Sequence, residues 1–368
     1  MIDLSTTCVH DPDSPIPSIL ESLDHFSNFQ MIRFAIKRVL WLVVVLLGLG
    51  AITFVLSRIV PGDPASLYLG PRAKPEQVEY LRAQMGLDKP LYLQFFYYLR
   101  DLTQGDMGES LRTHRPVIVG IMDHLPASLE LMFTAITIAL LIGIPLGVVS
   151  AKKENTGLDH FSRLYAVGST ALPSFWLAMI LQILFFRWLG LFPIGGRIDT
   201  VVGLVNPIEK ITGFYVFDTL VTGNWPALKD ALWHLVLPSF TLAAYSTGII
   251  TRMTRSTMLE VLREDYITTA RSVGVSEKEI LFVQGLRNAL GPTLTAAGLC
   301  FAFMLTGTLF IEAIFFWPGL GTYITTAIFS NDYPVIMGVT ILMASFYVVV
   351  NLIVDMLIAV VDPRIRLG

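Results

Sequence analysis

The chain has 368 residues, of which 54% are hydrophobic and only 15% charged, and its mean hydropathy is +0.63. That balance excludes an ordinary water-soluble domain and points to an integral membrane protein. The formal net charge is only −3, and the two cysteines, Cys8 and Cys300, lie far apart, so neither a disulfide framework nor a zinc site is indicated.

Residues 1–30 are acidic and contain proline, with no basic region leading into an apolar core, so they do not form a secretory signal. Ile19, Leu20, Leu23 and Phe26 lie close to one helical face, as in an interfacial amphipathic helix; disorder and an extension from start-site choice fit the same residues. Met31-Ile32-Arg33-Phe34 reads as the natural start of a membrane domain covering 31–368.

Within that domain six stretches reach the roughly 20 apolar residues that a span needs. They lie near 39–57, 127–151, 161–189, 235–251, 292–316 and 335–361. The predicted fold is therefore all-α, with six transmembrane helices. Arg33, Lys37 and Arg38 precede the first stretch, Lys152 and Lys153 follow the second, and Arg252, Arg255, Arg263, Arg271, Lys278 and Arg287 crowd the segment after the fourth. The loop 317–334 has no lysine or arginine, whereas Arg364 and Arg366 follow the last stretch. The positive-inside rule then puts both termini in the cytoplasm.

Residues 58–126 are placed outside, as a small folded cap. Pro61-Gly62-Asp63-Pro64 ends the first stretch, and Pro75 opens a helix through Met85 that Gly86 stops. The second external segment, about 190–234, is rich in Gly, Pro and Asn and is expected to mix turns with short helices.

The cytoplasmic segment 252–291 carries the most specific local pattern. Glu264 and Asp265 put negative charge at a helix start, and Gly274 supplies a left-handed stop after Tyr266, Thr269, Ala270 and Arg271. Ser276 followed by Glu279 is a capping box that begins a second helix. Such a helix–glycine–helix elbow, displayed at the membrane face, suits a surface that receives force from a soluble partner.

No catalytic constellation stands out. There is no GxxxxGK[ST] phosphate loop, so any nucleotide hydrolysis belongs to a partner, and the chain is not expected to be an enzyme or to hold a cofactor or metal of its own. His114 and His124 read as solvated loop residues. Glu130, Glu312 and Asp355 lie in or near apolar stretches; they read as structural pairs or pore-mouth groups, and a gradient-driven secondary transporter is the competing reading they support. No inverted repeat relates the two halves. Pro145, Pro173 and Pro238 are expected to kink spans, Gly143 and Gly147 to allow close helix contact, and Ser169, Thr170, Pro173 and Ser174 to form a polar patch on the third span.

The loop from Glu264 to Pro292 resembles the cytoplasmic EAA loop of binding-protein-dependent ABC importer permeases. Thr269-Ala270 and Gly274 stand where that loop has its paired alanines and glycine, while Thr268 replaces its glutamate. Arg287-Asn288-Ala289-Leu290, Pro61-Gly62-Asp63-Pro64, Gly86-Leu87-Asp88-Lys89-Pro90-Leu91, Gly105-Asp106-Met107-Gly108, Arg252-Met253-Thr254-Arg255-Ser256, Trp317-Pro318-Gly319-Leu320-Gly321 and Asp362-Pro363-Arg364 look like the peptide-importer version. The resemblance implies the type I importer permease fold, a cytoplasmic (inner) membrane location, and a heterodimer with a second permease. It also implies two cytoplasmic ATPases that hold ATP and Mg, an external substrate-binding protein, lipid contact and no nucleic acid. Glu264, Asp265, Tyr266, Thr269, Ala270, Arg271, Gly274 and Ser276 become the expected ATPase contact, with Ala270 and Gly274 small enough for close docking. Trp317, Pro318 and Gly319, and the Gly105–Gly108 turn, are expected to face the binding protein, to form an outer gate, or simply to turn the chain. Peptides are the expected cargo, with glutathione, nickel chelates and oligosaccharides as alternatives within the family.

Overall fold

The computed structural model describes residues 40–55, 63–70 and 72–361. The N-terminal extension 1–30, Arg33, Lys37, Arg38, Pro61-Gly62 and the segment 362–368 fall outside the described residues, as does the side chain of Asp355.

The described chain is helical throughout, with one isolated bridge pairing Glu109 and Pro116. After α1 (Leu40–Val55) comes a cap of three helices, α2 (Pro64–Leu69), α3 (Pro75–Gln84) and α4 (Leu91–Thr103). Each opens on a turn signal. Asp63 accepts from the Ser66 amide at the start of α2, and Pro75 opens α3, which ends just before Gly86 at φ +65°. The cap is shorter than expected, because α5 (Val117–Lys152) begins directly after Pro116 and takes in residues assigned to the external segment. Asp123 and His124 interrupt its hydropathy without interrupting its backbone.

The predicted third span is broken. Helix α6 (Gly157–Ala171) meets α7 (Ser174–Gln182), which continues as a π-helical turn through Trp188, at an angle of 105°. Pro173 is the cause: it has no amide to donate, and it forces Leu172 into an extended conformation at ψ 129°. Pro145 and Pro238, by contrast, sit inside helices that run through them.

Short helices α8 (Thr200–Val205) and α9 (Tyr215–Val221) occupy the second external segment, and α10 (Trp225–Val261) extends well beyond its apolar stretch. An elbow holding α11 (Asp265–Ser272) leads to α12 (Glu277–Glu279), which passes through a π-helical stretch into α13 (Leu286–Ile314). The helix begun at Ser276 therefore runs on into the predicted fifth apolar stretch and does not stop at Gly291-Pro292. Residues 317–334 are not a simple loop either. They contain apolar α14 (Leu320–Phe329), packed against α5 and α15 (Tyr333–Val361).

Among the described residues, three helices can cross a membrane by length and composition: Val117–Lys152, Glu277–Ile314 and Tyr333–Val354. The bent pair Gly157–Ala171 and Ser174–Trp188 makes a fourth if it forms one span. The main core lies where α5, α10 and α13 meet, around Leu131, Ala135, Leu242, Ile250, Met304 and Ile311. Gly147 lets α5 approach α10: a Cβ there would stand 2.6 Å from Thr254 Cβ and 2.8 Å from the Thr251 carbonyl.

Candidate functional site

The elbow is built by the residues that predicted it. Glu264 holds extended geometry at the N-cap of α11, Asp265 adds charge to the first turn, and Arg271 falls in the last. Gly274, at φ +84°, closes the helix in a Schellman motif: its amide reaches the Arg271 carbonyl at 3.1 Å, and the Val275 amide reaches that of Ala270 at 3.1 Å. The Ser276 hydroxyl then accepts from the Glu279 amide at 3.3 Å, starting the next helix. An Arg271–Glu277 ion pair at 3.0 Å bridges the two arms.

One side of α11 is spoken for within the chain. Ile267 and Ala270 are buried against Ile280, Leu262 and Val275. Ala270 thus seats the helix on its own protein instead of offering a small outward contact, which corrects the role its size suggested. The outward side presents Glu264, Asp265, Tyr266, Thr269, Arg271, Gly274 and Ser276. Tyr266 is oriented by Asn288, whose amide donates to its hydroxyl at 2.6 Å.

A buried strut beside the elbow was not legible beforehand. Asp159 on α6 is fully buried and takes a bidentate pair of bonds from Arg255 on α10, at 2.5 and 2.9 Å. It also accepts from the Ser150 hydroxyl at 2.7 Å and the Asn155 amide at 3.0 Å. Glu154 in the same turn pairs with Arg263 at 3.4 Å. The end of α5, the start of α6 and the α10–α11 junction are thereby joined by charge-assisted bonds. Arg255 stands out in the sequence as a topological charge and in the Arg252–Ser256 motif, without a partner; the burial of Asp159 is visible only in the fold.

The polar patch of the third span does come together. Ser169, Thr170, Pro173 and Ser174 line a cavity of about 320 Å³, with Tyr245 and Ser246 of α10 facing them. Cys300 and Phe303 of α13 complete that cavity and also border a second one, of about 540 Å³, that runs toward Pro292. The Ser169 and Thr170 hydroxyls bond back to the Ala166 carbonyl, at 3.2 and 3.0 Å.

At the other end, the turn at 317–319 is locked inward. Trp317 is buried and its indole donates to the Ala127 carbonyl at 2.9 Å, while Pro318 stays exposed. Glu312 accepts from the Ser128 hydroxyl at 2.5 Å and from the Gly321 and Thr322 amides at 2.6 and 3.1 Å, where α14 begins. A side chain on Gly319 would run into that carboxylate. Glu130 pairs with buried Arg197, whose guanidinium lies 3.6 Å from the Tyr215 ring centre. Both glutamates are thus structural partners. The Gly105–Gly108 turn is also internally tied, with Asp106 accepting from the Gly108 amide at 2.8 Å.

Comparison with known proteins places the chain in a family. Residues 143–367 match the family described as the binding-protein-dependent transport system inner membrane component, and residues 31–132 match its N-terminal counterpart. The chain is 45% identical over 327 residues to the probable D,D-dipeptide transport system permease protein DdpB of Escherichia coli K12, covering 89% of this chain and 95% of that one. It is 40% identical to the dipeptide transport system permease protein DppB of Alkalihalophilus pseudofirmus, over 91% of this chain and all of the relative. The oligopeptide transport system permease protein AppB of Bacillus subtilis is also 40% identical, with the same coverage. The relatives are transport permeases, not catalysts, and the family resides in the inner membrane as a multi-pass component. This chain belongs to the binding-protein-dependent transport system inner membrane component family.

Proposed function

We propose that the chain is one permease subunit of an ATP-driven importer for dipeptides or oligopeptides. It works as a heterodimer with a second permease, two cytoplasmic ATPases that hold ATP and Mg, and an external substrate-binding protein. All six apolar stretches cross the membrane with both termini inside, the shorter α1 and the more polar α10 included.

The observation that carries the reading is the exposed side of α11, set on a seat that is rigid within the chain. Closure of the ATPases would press on Glu264, Asp265, Tyr266, Thr269, Arg271, Gly274 and Ser276. The buried core beneath Ile267 and the Asp159–Arg255 strut would pass that displacement to α10 and α6 as rigid-body motion. The cavity lined by Ser169, Thr170, Pro173 and Ser174 is the proposed stretch of the pathway, and Pro318 the exposed part of the outer turn.

Peptide cargo is supported by three relatives named as dipeptide or oligopeptide permeases and by the near-complete coverage of each. Gradient-driven transport loses two of the three groups that motivated it, because Glu130 and Glu312 are committed to structural bonds. The test is uptake by the reconstituted complex, with its binding protein, of di- and oligopeptides against glutathione, nickel chelates and sugars. Uptake that persists without ATP and stops when a proton or sodium gradient is collapsed would refute the proposal.

A further inference from the structure

We propose that α4 is an interfacial helix, lying in the headgroup region of the outer leaflet with Tyr92, Phe96 and Leu99 turned to lipid. This rests on the reading of α1 as a membrane span.

The depth argument comes from what α4 touches. Its inner face packs on α1: Phe54 lies 5.3 Å from Phe95 and 5.9 Å from Tyr98, ring centre to ring centre. The Tyr98 ring reaches farther down, to 3.8 Å from where a Cβ on Gly50 would stand. Gly50 and Phe54 are about 6 Å apart along the helix axis at 1.5 Å per residue. Both precede the end of the apolar stretch, so the contact is made on the part of α1 that lipid surrounds. A helix leaning on that part cannot stand clear of the bilayer.

The outward strip of α4 fits such a position. Tyr92 and Phe96 are 72% and 62% exposed, one turn apart, and half-buried Leu99 continues the line. Aromatic residues of this kind favour the membrane–water boundary. The neighbouring α3, in the same cap, sets its exposed Tyr80 beside exposed Glu76 and Glu79, whereas no carboxylate stands between Tyr92 and Leu99. Charge around the strip is neutralised or held over rings: Arg100 pairs with Asp101 at 2.8 Å, and Lys89 lies 4.8 Å from the Tyr97 ring centre. Attachment therefore draws on apolar burial and does not depend on anionic lipid.

The test uses the assembled complex in nanodiscs of zwitterionic lipid, with Cys8 and Cys300 replaced by serine and single nitroxide labels at 47, 79, 92 and 96. Peptide uptake by each labelled variant verifies its folding. Collision rates with dissolved oxygen and with a water-soluble nickel chelate report the surroundings of each label. The expected result is oxygen-dominated collision at 92 and 96, at a depth of roughly 5–10 Å, with chelate-dominated collision at 79. Label 47, on exposed Leu47 of α1, is the internal reference for the span. Chelate access at 92 and 96 with 47 in lipid overturns the α4 proposal alone, whereas chelate access at 47 overturns the span on which it rests. Shielding of 92 and 96 only after the binding protein is added would assign the strip to protein docking and also overturn the proposal.

Discussion

Replacing Gly274 separates two roles that the elbow combines. Its φ of +84° disfavours any residue with a Cβ, at about 1–2 kcal/mol. No atom lies within 4 Å of where that Cβ would stand, so within this chain Gly274→Ala and Gly274→Arg carry the same backbone strain and no clash. A cost of about 1–2 kcal/mol is roughly a 5–30-fold change in local population, which bounds the effect of helix termination alone. If the elbow sits in a groove of an ATPase, arginine adds a long charged side chain at the contact. Binding-protein-stimulated ATP hydrolysis and peptide uptake should then fall by more than about tenfold beyond the alanine variant, the equivalent of 1.4 kcal/mol. Gly274→Asn, which tolerates the left-handed region, should be nearest to the parent. Equal activity of the arginine and alanine variants, in complexes assembled to the same level, would refute docking at this residue.

Three further outcomes are expected. Asp159→Asn leaves Arg255 without its carboxylate partner and should lower the stability of the purified subunit by about 3 kcal/mol; an unchanged melting temperature would remove the strut from the account. Gly319→Ala forces a methyl against the Glu312 carboxylate and should cost about 1–3 kcal/mol as overpacking, read by the same thermal assay. Asp218 on α9 is fully buried, which pushes its carboxyl up. Bonds from the Thr212 hydroxyl and the Thr212, Gly213 and Ile211 amides outweigh that, so it is held below the ordinary carboxylate range. Its stabilising contribution is complete above the ordinary carboxylate value and is lost as pH falls through the depressed one. Proteolysis of residues 206–224 should accelerate only in strongly acidic solution, and Asp218→Asn should abolish that pH dependence.

Local signals served the sequence reading best where a turn must be made by particular atoms. The Gly274 stop, the Ser276 cap and the Pro75 helix start are each decided within a few residues, and each appears where the chain chemistry placed it. Hydropathy located apolar stretches but not how they bend or end. It could not distinguish Pro173, which breaks its helix, from Pro145 and Pro238, which do not, because the difference lies in how neighbours accommodate the lost amide. Nor could it find α14, whose apolar residues are covered by α5 and α15, or tell that Ala270 faces its own chain. The Asp159–Arg255 and Glu130–Arg197 pairs join residues 96 and 67 positions apart, and no spacing rule reaches that far.

Glu312 has no ion-pair partner among the described residues and is held by one hydroxyl and two amides, contributed by α5 and by α14. Pulling those helix ends apart would strand a bare acceptor in apolar surroundings, at about 1–3 kcal/mol. The ends of α5, α13 and α14 that meet at Glu312 are therefore riveted into one block. Large excursions during a transport cycle are left to the opposite halves of the helices and to the 105° corner at Pro173, so that corner is where a cross-link should stall turnover most completely.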